Sequence, residues 1–257
     1  MKSFLAAVIV LAAAVNMWSQ IDARILRHPD VSETQITFVY GGDVWVVNKE
    51  GGLAVKLSSP QGAEAFPKFS PDGSQIAYTA NYEGNYDIYV IPSKGGVPSR
   101  ITYHGNSDRV LDWYPSGKEI LYGSSRESGR ERFNQLYKVS VNGGLSEKLP
   151  LPYGEFATIS DDGDWLAYTN RTRMFRTWKR YRGGMAADIW LFNLKTYEWQ
   201  EIAKSEANDE LPMWHGKKIY FLSDRGNEKR YNIWSYDTQS KQLKQVTEFK
   251  DYDVHFP

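Results

Sequence analysis

Four histidines are the only side chains in this chain whose unperturbed pKa suits proton transfer near neutral pH: His28, His104, His215 and His255. A serine-type triad needs a base within hydrogen-bond reach of a hydroxyl, plus an orienting acid. These histidines are spread along the whole chain, three of them at turns or loops, and none accompanies a Gly-x-Ser-x-Gly elbow. There are no cysteines, so disulfides, thiol nucleophiles and cysteine-bound metals are excluded. No His-Glu-x-x-His pair or oxygen-rich calcium loop appears, and no metal or other cofactor is expected. Asp161-Asp162 resembles a catalytic carboxylate pair, but it occupies a turn slot that recurs elsewhere, so a structural role is expected.

The feature with the most chemical potential is a set of basic loops. Residues 124–134 contain Arg126, Arg130 and Arg132; residues 170–187 contain Arg171, Arg173, Arg176, Lys179, Arg180 and Arg182; residues 223–231 contain Arg225, Lys229 and Arg230. Only Glu127, Glu131, Asp224 and Glu228 oppose these twelve cations, in a chain whose formal net charge is zero. Ten of the twelve are arginines, whose planar fork binds carboxylates through two hydrogen bonds. Phe175, Trp178 and Tyr181 lie among them, so cation–π stacking is available. Two readings follow. The face binds an anionic partner, either peptide carboxylates or an acidic protein surface. Alternatively, Glu64, Asp108, Glu206, Asp209, Glu210, Asp251 and Asp253, in neighbouring loops, neutralise it locally. The balanced total of 31 basic and 31 acidic residues argues against nucleic acid as the partner.

The elements that must position these loops are announced by repetition. Ser70-Pro71-Asp72-Gly73, Tyr114-Pro115-Ser116-Gly117 and Ser160-Asp161-Asp162-Gly163 form one series, with Trp214-His215-Gly216 as a worn copy. Asp43-Val44-Trp45, Asp87-Ile88-Tyr89, Gln135-Leu136-Tyr137, Asp188-Ile189-Trp190 and Asn232-Ile233-Trp234 form a second, at intervals of 44, 48, 53 and 44 residues. Short β-rich repeats of this period specify a β-propeller. The expected fold is all-β, with five four-stranded blades over residues 24–58, 65–103, 109–149, 155–203 and 210–248. The closing His255-Phe256-Pro257 resembles Ala65-Phe66-Pro67, so residues 252–257 read as the first strand of a sixth blade in an incomplete six-bladed ring. Asp43, Asp87 and Asp188 are expected to hydrogen-bond backbone where the third strand starts.

Residues 1–20 read as a secretory signal peptide: Lys2 precedes an apolar run of twelve from Phe4 to Val15, too short to span a bilayer. The expected organisation is a signal peptide over 1–20 and a propeller over 21–257, in a secreted or periplasmic protein with no membrane span after cleavage.

Trp178-Lys179-Arg180-Tyr181-Arg182-Gly183-Gly184 followed by Asp188-Ile189-Trp190, within a propeller of this repeat type, resembles the tricorn protease family. Ile36-Thr37-Phe38-Val39, Arg100-Ile101-Thr102-Tyr103 and Lys218-Ile219-Tyr220-Phe221 resemble the family's first, second and fifth blades, and the likeness spans about residues 24–257. The resemblance implies the N-terminal propeller of a large serine peptidase: a non-catalytic gate and channel for peptide substrates or products. Its partners would be a second propeller, a PDZ-like domain and the catalytic domains of the same chain, with homo-oligomers possible. The family archetype carries paired arginines after its second blade that hold the substrate's C-terminal carboxylate. Here that loop reads His104-Gly105-Asn106-Ser107-Asp108-Arg109, where only Arg109 can correspond. Arg109, Arg126, Arg130, Arg132, Arg173, Arg176, Trp178, Arg180 and Arg182 are therefore the candidate binding residues. A second reading is a propeller resembling the TolB-type envelope component, which binds protein partners. A third is the propeller of a prolyl-oligopeptidase-like enzyme.

Overall fold

The computed structural model describes residues 25–58, 60–129 and 133–257; the expected signal peptide lies outside them. Five four-stranded antiparallel sheets follow one another in chain order, each a simple meander. The innermost strands are Arg27–Val31, Glu64–Phe69, Asp108–Trp113, Phe156–Ile159 and Asp209–His215. The outermost are Val55–Lys56, Ser99–Arg100, Glu147–Lys148, Trp199–Ile202 and Leu243–Gln245. These are the five blades read from the repeats. Among the described residues no helix is long and apolar enough to cross a membrane.

The turn chemistry explains why the first two strands of each blade meet. In blade 2 the Gly73 N–H bonds the Ser70 carbonyl at 2.8 Å, with Gly73 at φ 68°. Gly117 and Gly163 repeat both features, at φ 66° and 76°. A residue with a Cβ is strained there, which is why glycine recurs. Asp72 Oδ1 accepts from the Ser74 N–H at 3.0 Å, and Asp162 Oδ1 accepts from the Asp164 N–H at 3.0 Å. Asp162 is thus a turn former, as its repeated slot predicts.

Blades 2, 3 and 4 are each packed on both faces, and strand alternation divides their side chains between their neighbours. Ile76 and Tyr78 join the core shared with blade 1, whereas Ala77 joins the core shared with blade 3. Ile120 and Leu121 divide between blades 2 and 4 in the same way. Leu166 faces the blade 3 side and Ala167 faces blade 5. Side-chain bonds lace neighbouring innermost strands together near the axis. Asp30 Oδ2 accepts the Phe69 N–H at 2.8 Å, Trp113 Nε1 donates to the Lys68 carbonyl at 2.9 Å, and Asp112 Oδ2 accepts the Ile159 N–H at 3.0 Å.

Two expectations are corrected. Residues 252–257 form no strand. Among the described residues no strand pairs with them, and the Val254 N–H bonds the Tyr231 carbonyl of blade 5 instead, at 2.9 Å. Five blades are therefore described rather than five and a strand. Among the described residues the Asp43 and Asp87 side chains do not bond backbone; they meet outer-strand cations, Lys56 at 2.9 Å and Arg100 at 2.7 Å. Asp188 makes neither kind of contact among the described residues.

Candidate functional site

The innermost strands of blades 1, 2 and 5, and the closing residues 255–257, carry a device that aims side chains at the propeller axis. His28, Phe66, Leu211 and Phe256 all have left-handed backbone, at φ 49°, 52°, 53° and 46°. Each is followed by proline, which disfavours helical ψ at the residue before it. In blades 1, 2 and 5 the first-to-second strand register slips at this dipeptide. These are β-bulges, which bend a strand and re-aim a residue. Left-handed non-glycine residues cost on the order of 1 kcal/mol each and cluster at functional sites.

The re-aimed rings converge. His28 stacks on Phe66 at 4.1 Å and meets Phe256 edge-on at 4.9 Å. Phe156 lies 6.2 Å from Phe256, and Phe175, from the long blade 4 loop, lies 5.6 Å from it. The axial space between them narrows to about 70 Å³. A vestibule of about 630 Å³, lined by Arg109, Asn134 and Phe175 among others, opens on the side of the long loops. A second of about 510 Å³, with Asp30, Lys68, Asp112 and His215, opens on the other.

Arg109 sits where the loop-side vestibule meets this constriction. Its guanidinium carbon lies 4.8 Å from the Phe175 ring centre, 5.0 Å from Phe156 and 5.5 Å from Phe66. Its Nη1 is 3.8 Å from Glu155 Oε2, beyond hydrogen-bond range, and has no hydrogen-bond partner among the described residues. Burial pushes its pKa down, with Glu155 opposing. A buried donor without a partner is costly, so this atom is poised for an acceptor. Burial and then the cations Arg27, Lys68 and Arg109 hold His28 down at about 4, so its ring is neutral near pH 7. Among the described residues none of the four histidines bonds a serine hydroxyl: His28 Nδ1 faces the Phe66 N–H, His104 Nδ1 the Asn106 N–H, and His255 Nε2 lies 3.3 Å from Lys179 Nζ.

The family description "Tricorn protease N-terminal beta propeller domain" matches residues 23–257. The chain belongs to the tricorn N-terminal propeller family. It is 29% identical over 230 residues to a tricorn protease homolog of Saccharolobus solfataricus, covering 88% of this chain and 21% of that one. It thus spans about a fifth of the length of the curated relatives it first matches. Against the crystal structure of the tricorn protease the TM-score is 0.78 at 24% identity, over 90% of this chain and 23% of the other. TolB from Acinetobacter baumannii aligns with a TM-score of 0.70 at 20% identity, over 90% of this chain and 56% of that one, a likeness of fold.

On this tricorn-type propeller the other expected residues are dispersed. Arg126 pairs with Asp108 at 2.6 Å and lies over Tyr122 and Tyr137. Arg182 pairs with the fully buried Asp224 at 2.8 Å, and Arg180 with Asp253 at 3.1 Å. Arg173 is buried: it lies 4.5 Å from the Tyr181 ring centre and donates to the Met185 carbonyl at 3.1 Å, while its backbone N–H is held by Glu210 at 2.9 Å. Arg176 and Trp178 project into solvent, Trp178 with 67% of its surface exposed. Arg130 and Arg132 lie outside the described residues. Among the described residues only Arg109 joins the axial site. Sequence reasoning missed the rings around it, although the repeated X-Pro dipeptides were visible at matching offsets.

Proposed function

We propose that this chain is the non-catalytic, peptide-gating propeller of an exported tricorn-like serine peptidase, in which proteolysis belongs to other domains. Arg109 carries the reading. An unsatisfied guanidinium nitrogen among aromatic rings, at the neck of an axial channel, suits a peptide's terminal carboxylate with an apolar side chain beside it. The constriction would then set what passes. Export rests on the signal-peptide pattern of residues 1–20, and the protein would work in a periplasm or outside the cell. A second reading, a TolB-like propeller that binds proteins, is favoured by the exposed Arg176 and Trp178, which the propeller's own packing does not use.

The test is calorimetric titration of this chain with an apolar peptide bearing either a free or an amidated C-terminus. The acid should bind at least about tenfold more tightly, in line with one charge-assisted pair. Arg109→Met, which keeps bulk but removes the fork, should erase that difference. Equal affinity for acid and amide would refute the carboxylate assignment.

A further inference from the structure

Among the described residues a cation serves the outer edge of four blades, in one of two ways, and blade 4 has neither. In every blade the aromatic of the third strand is paired in register with a fourth-strand residue. The pairs are Trp45 with Lys56, Tyr89 with Arg100, Tyr137 with Lys148, Trp190 with Glu201 and Trp234 with Gln245. In blades 1 and 2 that residue is a cation bonded to the aspartate two positions before the aromatic: Lys56 to Asp43 at 2.9 Å, Arg100 to Asp87 at 2.7 Å. In blades 3 and 5 a loop arginine covers the ring instead. Arg126 lies 5.1 Å from the Tyr137 ring centre, and Arg225 lies 5.5 Å from Trp234.

Blade 4 has the aspartate and the aromatic but not the cation. Glu201 stands where Arg100 stands in blade 2, so Asp188 and Glu201 share one edge and repel each other. Asp188 makes no hydrogen bond or ion pair, and no cation covers Trp190, among the described residues. Trp199 packs on Trp190 at 5.4 Å with 67% of its own surface in solvent, so the position opens outward. Lys204 reaches Glu201 at 3.4 Å and its charge also acts on Asp188, but its side chain is 81% exposed and it makes no ion pair with Asp188.

A second observation comes from the neighbouring blade. The Asp209 side chain is 1% exposed; one oxygen bonds Arg225 at 2.5 Å, and the other, Oδ1, has no hydrogen bond within 3.5 Å among the described residues, although the Ser223 hydroxyl lies near the carboxylate. The Asp209 N–H bonds the Ala187 carbonyl at 2.7 Å, next to Asp188, and the charge of Asp188 acts on its carboxylate, so blade 5 adds negative charge behind this edge. Among the described residues no group of three acids or histidines is placed to hold a metal ion. Two carboxylates beside an indole instead fit a guanidinium, which forks onto carboxylates and stacks on aromatic faces.

We propose that the rim of blade 4 is a recognition slot for an arginine side chain of a bound peptide, with Asp188 and Glu201 taking the guanidinium against Trp190 and Trp199, as Asp87 takes Arg100 within blade 2. The slot is distinct from the Arg109 site and does not depend on it.

The probe is acetyl-Ala-Arg-Ala-amide, whose blocked ends offer Arg109 no carboxylate, against the same peptide with neutral citrulline for arginine. Binding to this chain is followed by calorimetry and by indole fluorescence. Saturable binding is expected, at least tenfold weaker for the citrulline peptide. Glu201→Arg rebuilds the pair of blade 2, so it should abolish binding and raise the melting temperature. Asp188→Asn should weaken binding at least tenfold, and it decides the matter if Glu201→Arg does not fold. No saturation, equal binding of citrulline, or unchanged affinity in the folded variants would overturn the proposal. So would self-association abolished by Glu201→Arg without peptide binding, which would assign the cation to a second copy of the chain.

Discussion

Arg109 and Arg182 face the same side of the propeller, yet their surroundings differ in kind. Arg182 bonds Asp224, whose side chain is fully buried, and Asp224 in turn accepts the Asn208 N–H at 2.9 Å. Arg109 lies among three phenylalanine rings, with its nearest acid at 3.8 Å. The first guanidinium is committed to joining the blade 4 loop to blade 5. The second keeps donor capacity. A count of charges along the loops cannot separate the two, because it does not say which acid each cation meets. Asp108, Asp209, Asp224 and Asp253 each take at least one of the loop cations.

That contrast breaks hardest at Arg182. Removing one partner of a buried pair leaves the other charge uncompensated, which typically costs about 3–5 kcal/mol. Because Arg182 is itself partly exposed and Asn208 still bonds Asp224, Arg182→Ala is expected near the lower end, about 3 kcal/mol. Urea unfolding measures it. A loss under about 1 kcal/mol would mean that Arg182 is an ordinary surface residue after all.

The axial region responds to pH instead. His28 is held at about 4 against an ordinary value of 6.5. The unfolded chain therefore binds the proton first. This contribution to stability is complete above pH 6.5 and is lost as pH falls from there through 4. Discounted for partial exposure, it amounts to about 2 kcal/mol. His28→Phe keeps the ring stack without the proton. The variant's stability relative to the parent should rise by that amount between pH 7 and pH 4, read from urea midpoints at each pH. A constant difference would show that His28 is solvated and does not close the channel.

The same physics explains which parts of the molecule were legible in the sequence. Turn glycines and alternating apolar residues act locally, so Gly73, Gly117 and Gly163, together with the five third-strand signatures from Asp43-Val44-Trp45 to Asn232-Ile233-Trp234, announced five blades and their order. Arg109 was singled out by its place after the second blade. The rings that enclose it were not, because a bulge decides which way Phe66 or Phe256 points, and the dipeptide alone does not. Asp43 and Asp87 were read as backbone caps since their partners, Lys56 and Arg100, lie on two-residue strands whose register only the fold fixes. The expected sixth-blade strand is not formed for a related reason: a strand is a property of a pair, and among the described residues none pairs with 252–257.

The smallest effect sharpens the comparison from the other side. Arg176 and Trp178 lie in the same loop as Arg182 but project into water, Trp178 with 67% of its surface exposed. Exposed positions away from buried networks change stability by no more than about 0.5 kcal/mol when truncated. Arg176→Ala and Trp178→Ala should therefore leave the urea midpoint within that range, in the loop where Arg182→Ala lowers it steeply. If the two also leave every binding measurement unchanged, the loop is a structural brace. If they weaken capture of a protein partner while the midpoint holds, the exposed end of the loop is an interaction surface, and the partner-binding reading gains over the gate. A stability loss like that of Arg182→Ala would instead show that the whole loop is one packed unit and that the division drawn between its two ends is wrong.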